Sequence, residues 1–236
     1  MRTTALFLII TFWPTLLSGQ IVIGDQRIDK SKVKPWLTGQ IQDYQSEYHF
    51  GFSDGESYFI LIVTNDSCYA QYQYFSFDQG LIKQFVNLKN VRIEGNKYFS
   101  DQTNGEFVIC EYENMLYNGL MIYNPWSNEP KNGEYEIGFV RCSLDIHFEG
   151  NYTSASWRLL SKDELEKMTL SDLQKMRNEI YARYGYIFKS GGEIDKYFKS
   201  QSWYGGRLQD VSNLLTGLEK RNISLIQTIE KIKNGL

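Results

Sequence analysis

The amino-acid sequence predicts an α+β protein, an N-terminal antiparallel β sandwich or barrel followed by a small all-α module. Three observations carry that prediction. Residues 37–150 alternate and are rich in Tyr, Phe, Val and Ile. Turn signals such as Ser53-Asp54-Gly55, Asn65-Asp66-Ser67, Asp78-Gln79-Gly80, Asn104-Gly105 and Asn132-Gly133 recur between the alternating stretches. After Trp157 the apolar spacing changes to that of helices. The 236 residues divide accordingly into a leader over 1–19, a β domain over 20–158 and a helical module over 159–236.

In the leader, Arg2 supplies a positive start, Ala5-Leu6-Phe7-Leu8-Ile9-Ile10 through Leu16-Leu17 an apolar core, and Ser18 and Gly19 a small-residue end. That order is the pattern of a cleavable secretory signal peptide. It predicts an exported protein, periplasmic or secreted, whose mature chain starts at Gln20. A spanning helix needs about 20 apolar residues, and Pro14 interrupts this stretch, so a retained anchor is not expected. The longest later apolar run is Phe59-Ile60-Leu61-Ile62-Val63, which predicts no transmembrane span after cleavage.

Six strands are expected in the β domain, at 58–63, 68–77, 85–93, 106–112, 119–123 and 135–142. In the second, Tyr69, Gln71, Gln73 and Phe75 share one face while Ala70, Tyr72, Tyr74 and Ser76 share the other, as a period of two requires. Short strands of this kind must bury one face and manage their edges, and a sandwich and a barrel both do so. Cys68, Cys110 and Cys142 are the three cysteines. An oxidising compartment permits one bridge among them with one thiol left over, and their separations match no zinc pattern.

Three capping boxes punctuate the helical module, at Ser161-Lys162-Asp163-Glu164, Ser171-Asp172-Leu173-Gln174 and Thr216-Gly217-Leu218-Glu219. From the second, Leu173, Met176, Ile180 and Tyr184 form an apolar stripe. Gly185 then ends the helix in the left-handed conformation, and Tyr186 folds back toward Tyr181. From the third, Leu218, Asn222, Leu225, Ile229 and Ile232 follow a seam that places Asn222 in the packed interior, where it needs hydrogen-bond partners. The two parts differ in charge sign. Residues 20–158 carry 11 Lys and Arg against 18 Asp and Glu, a net of −7, and residues 159–236 carry 13 against 10, a net of +3. Two halves docked on each other have this character, as does a basic module that meets an anionic polymer.

The segment Arg177-Asn178-Glu179-Ile180-Tyr181-Ala182-Arg183-Tyr184-Gly185-Tyr186-Ile187-Phe188, followed by Tyr197-Phe198, Ser202-Trp203-Tyr204 and Glu219-Lys220-Arg221-Asn222-Ile223, resembles the YARHG domain. This is a small extracellular helical module of bacteria, and the likeness runs over roughly residues 160–232. Its eponymous motif maps onto Tyr181-Ala182-Arg183-Tyr184-Gly185, with Tyr184 where the family most often has His. An imidazole at that position, if the family uses it for acid–base chemistry, is therefore missing from this chain. The resemblance implies an exported module without an established molecular activity, found beside varied partner domains that include peptidases and kinases. The β region resembles no family.

No nucleophile with its base, metal constellation or cofactor loop is visible, so neither catalytic nor metal residues are assigned and no cofactor is expected. The nearest candidate is Cys142, Asp145 and His147; in an extended strand residues 142 and 147 point to opposite faces, which predicts no dyad. A carboxylate pair assembled from distant segments leaves no local spacing, so a secreted hydrolase with its site in the β domain is the alternative function. The primary reading is a non-catalytic interaction protein of the cell envelope or secretome. Its candidate binding residues are Tyr181, Arg183, Tyr184, Trp203, Tyr204 and Arg207, because aromatic and arginine side chains are the usual anchors of recognition surfaces. In so small a module Tyr and Trp are also core material, which is the expected place of Tyr181 and Tyr184, whereas Trp203 and Tyr204 precede Gly205-Gly206 and fit either role. A cell-wall polymer or another envelope protein is the expected partner. With a net charge of −3, nucleic acid is not expected.

Overall fold

The structure, a computed structural model, describes residues 20–51, 57–76, 82–125 and 133–235. The leader, and the turn signals at Ser53-Asp54-Gly55, Asp78-Gln79-Gly80 and Asn132, lie outside these residues. The architecture is α+β: a curled, predominantly antiparallel sheet, then helices.

In chain order the described strands are β1 (Gln20–Ile23), β2 (Gln26–Ile28), β3 (Val33–Pro35), β4 (Ser46–Phe50), β5 (Ser57–Val63), β6 (Cys68–Ser76), β7 (Ile82–Leu88), β8 (Arg92–Glu94), β9 (Lys97–Phe99), β10 (Asn104–Tyr112), β11 (Met115–Ile122) and β12 (Glu134–Cys142). They pair in the order β7-β6-β5-β4-β12-β11-β10-β9-β8. The two ends of that path, β7 and β8, are neighbours in the chain, separated by residues 89–91 alone. An extended chain reaches at most about 3.6 Å per residue, so this link draws the two edges together and curls the sheet into a half-barrel. The fold is thus the barrel-like closure rather than two stacked sheets. The expected strand over 85–93 is two strands, β7 and β8, with Asn90 at φ 53° in the turn between them. β1 is the exception to antiparallel order, since it runs parallel to β12.

Alternation fills both faces of the curl. Tyr48, Phe50, Phe59, Leu61, Phe107, Leu120 and Ile122 point into the concave side, where Tyr44 stacks on Phe107 with ring centroids 3.9 Å apart. On the outer side β1 and β2 cover one patch, through Ile21 and Ile23 packed on Val108, Cys110, Met121 and Ile137. The helices cover another, with Leu144 and Leu218 packed on Tyr58, Ile60 and Ile62 of β5. All seven residues of β5 are therefore buried, which is the reason its sequence is a continuous apolar run rather than an alternating one.

The helices are α1 (Leu144–His147), α2 (Ser154–Trp157), α3 (Lys162–Glu166), α4 (Leu170–Arg183), α5 (Glu193–Lys199) and α6 (Gly217–Lys233). Complete capping boxes open α3 at Ser161/Glu164 and α6 at Thr216/Glu219. The second box is corrected by two residues. Thr169 is the N-cap of α4, its hydroxyl accepting from Asp172 N at 3.1 Å, which leaves Ser171 inside the first turn. The stripe Leu173, Met176, Ile180 and Tyr184 is buried as expected. Gly185 has φ +78°, and Tyr186 N donates to Tyr181 O at 3.2 Å, the closure that a left-handed glycine after a helix permits. Asn222 is 1 % exposed and fully used: it accepts from Leu160 N at 3.0 Å and donates to Ala155 O and Arg158 O, both at 2.8 Å. The seam of α6 turns slightly from the expected line, so that Ile223 and Ile226 are buried while Ile232 is exposed.

Candidate functional site, a cleft between the sheet and the helices

A cleft of about 590 Å³ opens where β4, β6, β7 and the end of β12 face α4 and the loop after α5. That volume is within the range of small-molecule sites. Its floor is a polar network built on Tyr184 and Glu219. Tyr184 Oη donates to Glu219 Oε2 at 2.7 Å and accepts from Gln71 Nε2 of β6 at 3.2 Å. Ser156 Oγ donates to Glu219 Oε1 at 2.6 Å, and Thr216 N and Oγ1 donate to Oε2 at 2.9 and 3.0 Å. Burial raises the Glu219 carboxyl above its ordinary range, against the pull of these hydrogen bonds and of Arg183.

Arg183 is the second fixed point. Its guanidinium pairs with Glu179, donates to Ser156 Oγ at 2.8 Å and to the Glu149 carbonyl at 2.7 Å. Glu179 in turn accepts Asn151 N and Tyr152 N at 2.9 and 2.7 Å. Gly150 has φ +109°, and a Cβ there would run into the Glu179 carboxylate, so glycine is what allows this turn to close on it.

The opposite wall comes from the β half. Between Val140 and Cys142 the register of β12 on β4 shifts by one residue, a bulge at Arg141. Bulges re-aim side chains. Here Cys142 comes to lie opposite Glu47, Arg141 donates to Tyr58 Oη at 3.1 Å, and the chain leaves the strand for α1. The expectation that Cys142 and His147 point apart is thereby corrected: the strand ends between them, and both reach the carboxylate of Glu47, Cys142 Sγ at 3.4 Å and His147 through Nδ1. They form no nucleophile–base pair with each other. Burial, followed by the Glu47 charge, pushes the Cys142 thiol up to about 11, so it is a protonated donor at neutral pH. Burial works to raise Glu47 as well, but the bonds from His147 and Cys142 and the charge of Arg141 outweigh it and hold the carboxyl below its ordinary range. All three cysteines are free thiols. Among the described residues no cluster of three or more His, Cys, Asp or Glu suits a metal ion.

Of the residues singled out in the sequence, Arg183, Tyr184, Trp203 and Arg207 line the cleft. Tyr181 and Tyr204 do not. Tyr181 sits between the two helical cores, and Tyr204 donates to Tyr186 O at 2.7 Å while its ring packs on Phe188 and Phe198. Arg207 is carried by the motif glycine, since Arg207 N and Leu208 N both donate to Gly185 O, at 2.7 and 2.9 Å. The residues not read from the sequence are Glu47, Gln73, Lys83 and Arg141. Each is a single polar side chain in a strand, without a local pattern to mark it.

The family model of the YARHG domain matches residues 151–231. The C-terminal third is a YARHG domain. No curated protein and no solved structure matches the chain. The match begins at the segment that Glu179 anchors, so the loop before α2 belongs to the YARHG domain with the helices. In this YARHG domain the motif Tyr181–Gly185 is a structural hub: Arg183 ties the entry segment down, Tyr184 ties α4 to the cap of α6 and to the sheet, and Gly185 places Arg207. Among the described residues no helix is long and apolar enough to cross a membrane.

Proposed function

We propose that this is an exported, non-catalytic binding protein of the bacterial cell envelope or secretome, and that its ligand enters the cleft between the β half and the YARHG domain. The observation that carries the reading is that the cleft is lined jointly by both parts, with Trp203 and Arg207 of the YARHG domain across from Lys83 and Arg141 of the sheet. An aromatic ring and cationic side chains at a concave junction are the features of a recognition site. The leader supports export, and a cell-wall polymer or another envelope protein is the partner class.

A secreted hydrolase is the second reading, and the Glu47–His147 pair at the cleft wall is what favours it. Among the described residues no Ser or Thr lines the cleft, and Cys142 is protonated, so that reading rests on water activated by Glu47 or His147.

The test uses the full chain expressed in a bacterial host. Its intact mass should correspond to a start at or within a residue or two of Gln20, and the mature protein should be retained on isolated envelope material while Trp203→Leu is not. An uncleaved cytosolic chain, or equal retention of both forms, counts against the proposal; turnover of envelope polymer lost in Glu47→Gln replaces it with the hydrolase.

A further inference from the structure

Four polar groups that line the cleft make no hydrogen bond with a described residue. Lys83, half-buried on β7, makes no hydrogen bond or ion pair with any described residue; its ammonium lies 5.6 Å from the ring centroid of Tyr58 and 5.8 Å from that of Phe85. Burial lowers its basicity, with Glu47 and Glu149 near enough to oppose that and Arg141 adding to it. Arg207 is exposed at the mouth of the facing wall, and its guanidinium makes no hydrogen bond or ion pair with a described residue. On the acceptor side, Glu47 Oε1 and Gln73 Oε1 are buried without a hydrogen-bond donor, Arg141 Nη1 standing 3.8 Å from Glu47 Oε1 as an ion pair, and both residues line the cleft. A buried polar atom left without a partner costs about 1–3 kcal/mol, and such atoms are rare in native proteins unless water, an ion or a ligand supplies the partner.

Each deficit names a ligand group. Lys83 and Arg207, neither of them held by a direct partner, call for an anion between them. Glu47 and Glu149 surround Lys83 with negative charge, so the site suits one negative charge better than the roughly −1.5 to −2 of a phosphate monoester. The orphan acceptors call for O–H or N–H donors on the same molecule, and the half-buried Trp203 in the cleft lining supplies apolar aromatic surface for a ring. A monoanion that carries several hydroxyls on a ring is a sugar acid. We infer that the cleft binds a carboxylate-bearing glycan, with the carboxylate between Lys83 and Arg207, ring hydroxyls on Glu47 and Gln73, and the ring face against Trp203. This deepens the proposed function and rests on the cleft being the ligand site.

The experiment is calorimetric titration of the mature protein with di-galacturonate, whose carboxylates sit one to a ring so that a single ring brings one charge into the site, with maltose as neutral comparator and glucose 6-phosphate as the phosphate comparator. Di-galacturonate should bind, and the comparators should bind at least about tenfold more weakly, the difference a charge-assisted hydrogen bond makes. Lys83→Met and Arg207→Met should each weaken di-galacturonate by about tenfold or more. Lys83 makes no hydrogen bond or ion pair with a described residue, so Lys83→Met should leave the ligand-free protein folded, with an unfolding midpoint close to that of the wild type. Equal binding of maltose, preference for glucose 6-phosphate, unchanged affinity in both Met variants, or no binding of di-galacturonate each overturns the inference. The proposed function survives any of these if Trp203→Leu still abolishes envelope retention, and falls only if retention is independent of the cleft.

Discussion

Replacing Tyr184 by Phe removes one oxygen atom from the centre of the molecule, and the structure says where the cost falls. Gln71 Nε2 keeps its other acceptors, Asn87 Oδ1 at 2.9 Å and Leu214 O at 3.0 Å, so it is not orphaned. The ring keeps its edge-on contact with Phe85 at 4.8 Å. What is lost is the 2.7 Å donation to Glu219, a carboxylate only 1 % exposed. A hydrogen bond to a charged group is worth about 1.5–3 kcal/mol, and that is the expected loss of stability where Glu219 is ionised in the folded state. The loss is pH-dependent with a definite sign. Glu219's folded pKa is already raised above the ordinary 4.5, so the folded state holds its proton to higher pH than the unfolded chain and stability falls as pH rises through that window. Tyr184 opposes the rise, so its removal raises the folded value further. The extra destabilisation is present above that folded pKa and disappears below 4.5, where Glu219 is protonated in both states. Urea unfolding of the wild type and Tyr184→Phe, near pH 7 and near pH 4, measures it. A loss under about 0.5 kcal/mol near pH 7, or an equal loss at both values, refutes the assignment of Tyr184 as a charge-assisted donor.

Three further outcomes follow from the same network. Asn222→Leu leaves Leu160 N, Ala155 O and Arg158 O without their side-chain partner, and should cost about 3 kcal/mol or more in urea unfolding. Gly150→Ala forces a left-handed φ on alanine and pushes its methyl into Glu179; the expected loss is about 2 kcal/mol, with amide exchange faster at Asn151 and Tyr152. Arg221→Ala breaks a bond to Asp66 that joins the two parts across the surface, but both side chains are about half exposed. Such pairs are screened by water and salt, so the thermal midpoint should be unchanged within error and insensitive to salt.

Much of the helical half was legible in the chain, because caps, apolar stripes and terminal glycines act within one or two turns. Ser161, Thr216, Gly185 and the buried Asn222 all follow from residues three or four positions away, and the one displaced cap, Thr169 for Ser171, lies inside that same short range. The family motif was legible as a string of residues, but its role was not: that Arg183 and Tyr184 face a cleft and hold Glu179 and Glu219 depends on α2, α6 and the sheet being in place. In the β half the alternation of β6 and the continuous apolar run of β5 were readable. The short strands β1 to β4 and β9 were missed and β8 was run together with β7, since three to five residues carry too little periodicity to stand out from loops.

By itself the sequence determined an α+β chain with a strand-rich body and a C-terminal YARHG domain, properties written in composition and short-range spacing. Only the tertiary structure decided that the sheet curls rather than stacks, that a bulge at Arg141 brings Cys142 and His147 onto Glu47, and that Lys83 and Arg207 face one cleft. The reason is distance along the chain. Glu47, Lys83, Arg141 and Arg207 come from four separate elements, and the field they share exists only when strand pairing and helix docking have brought those elements together.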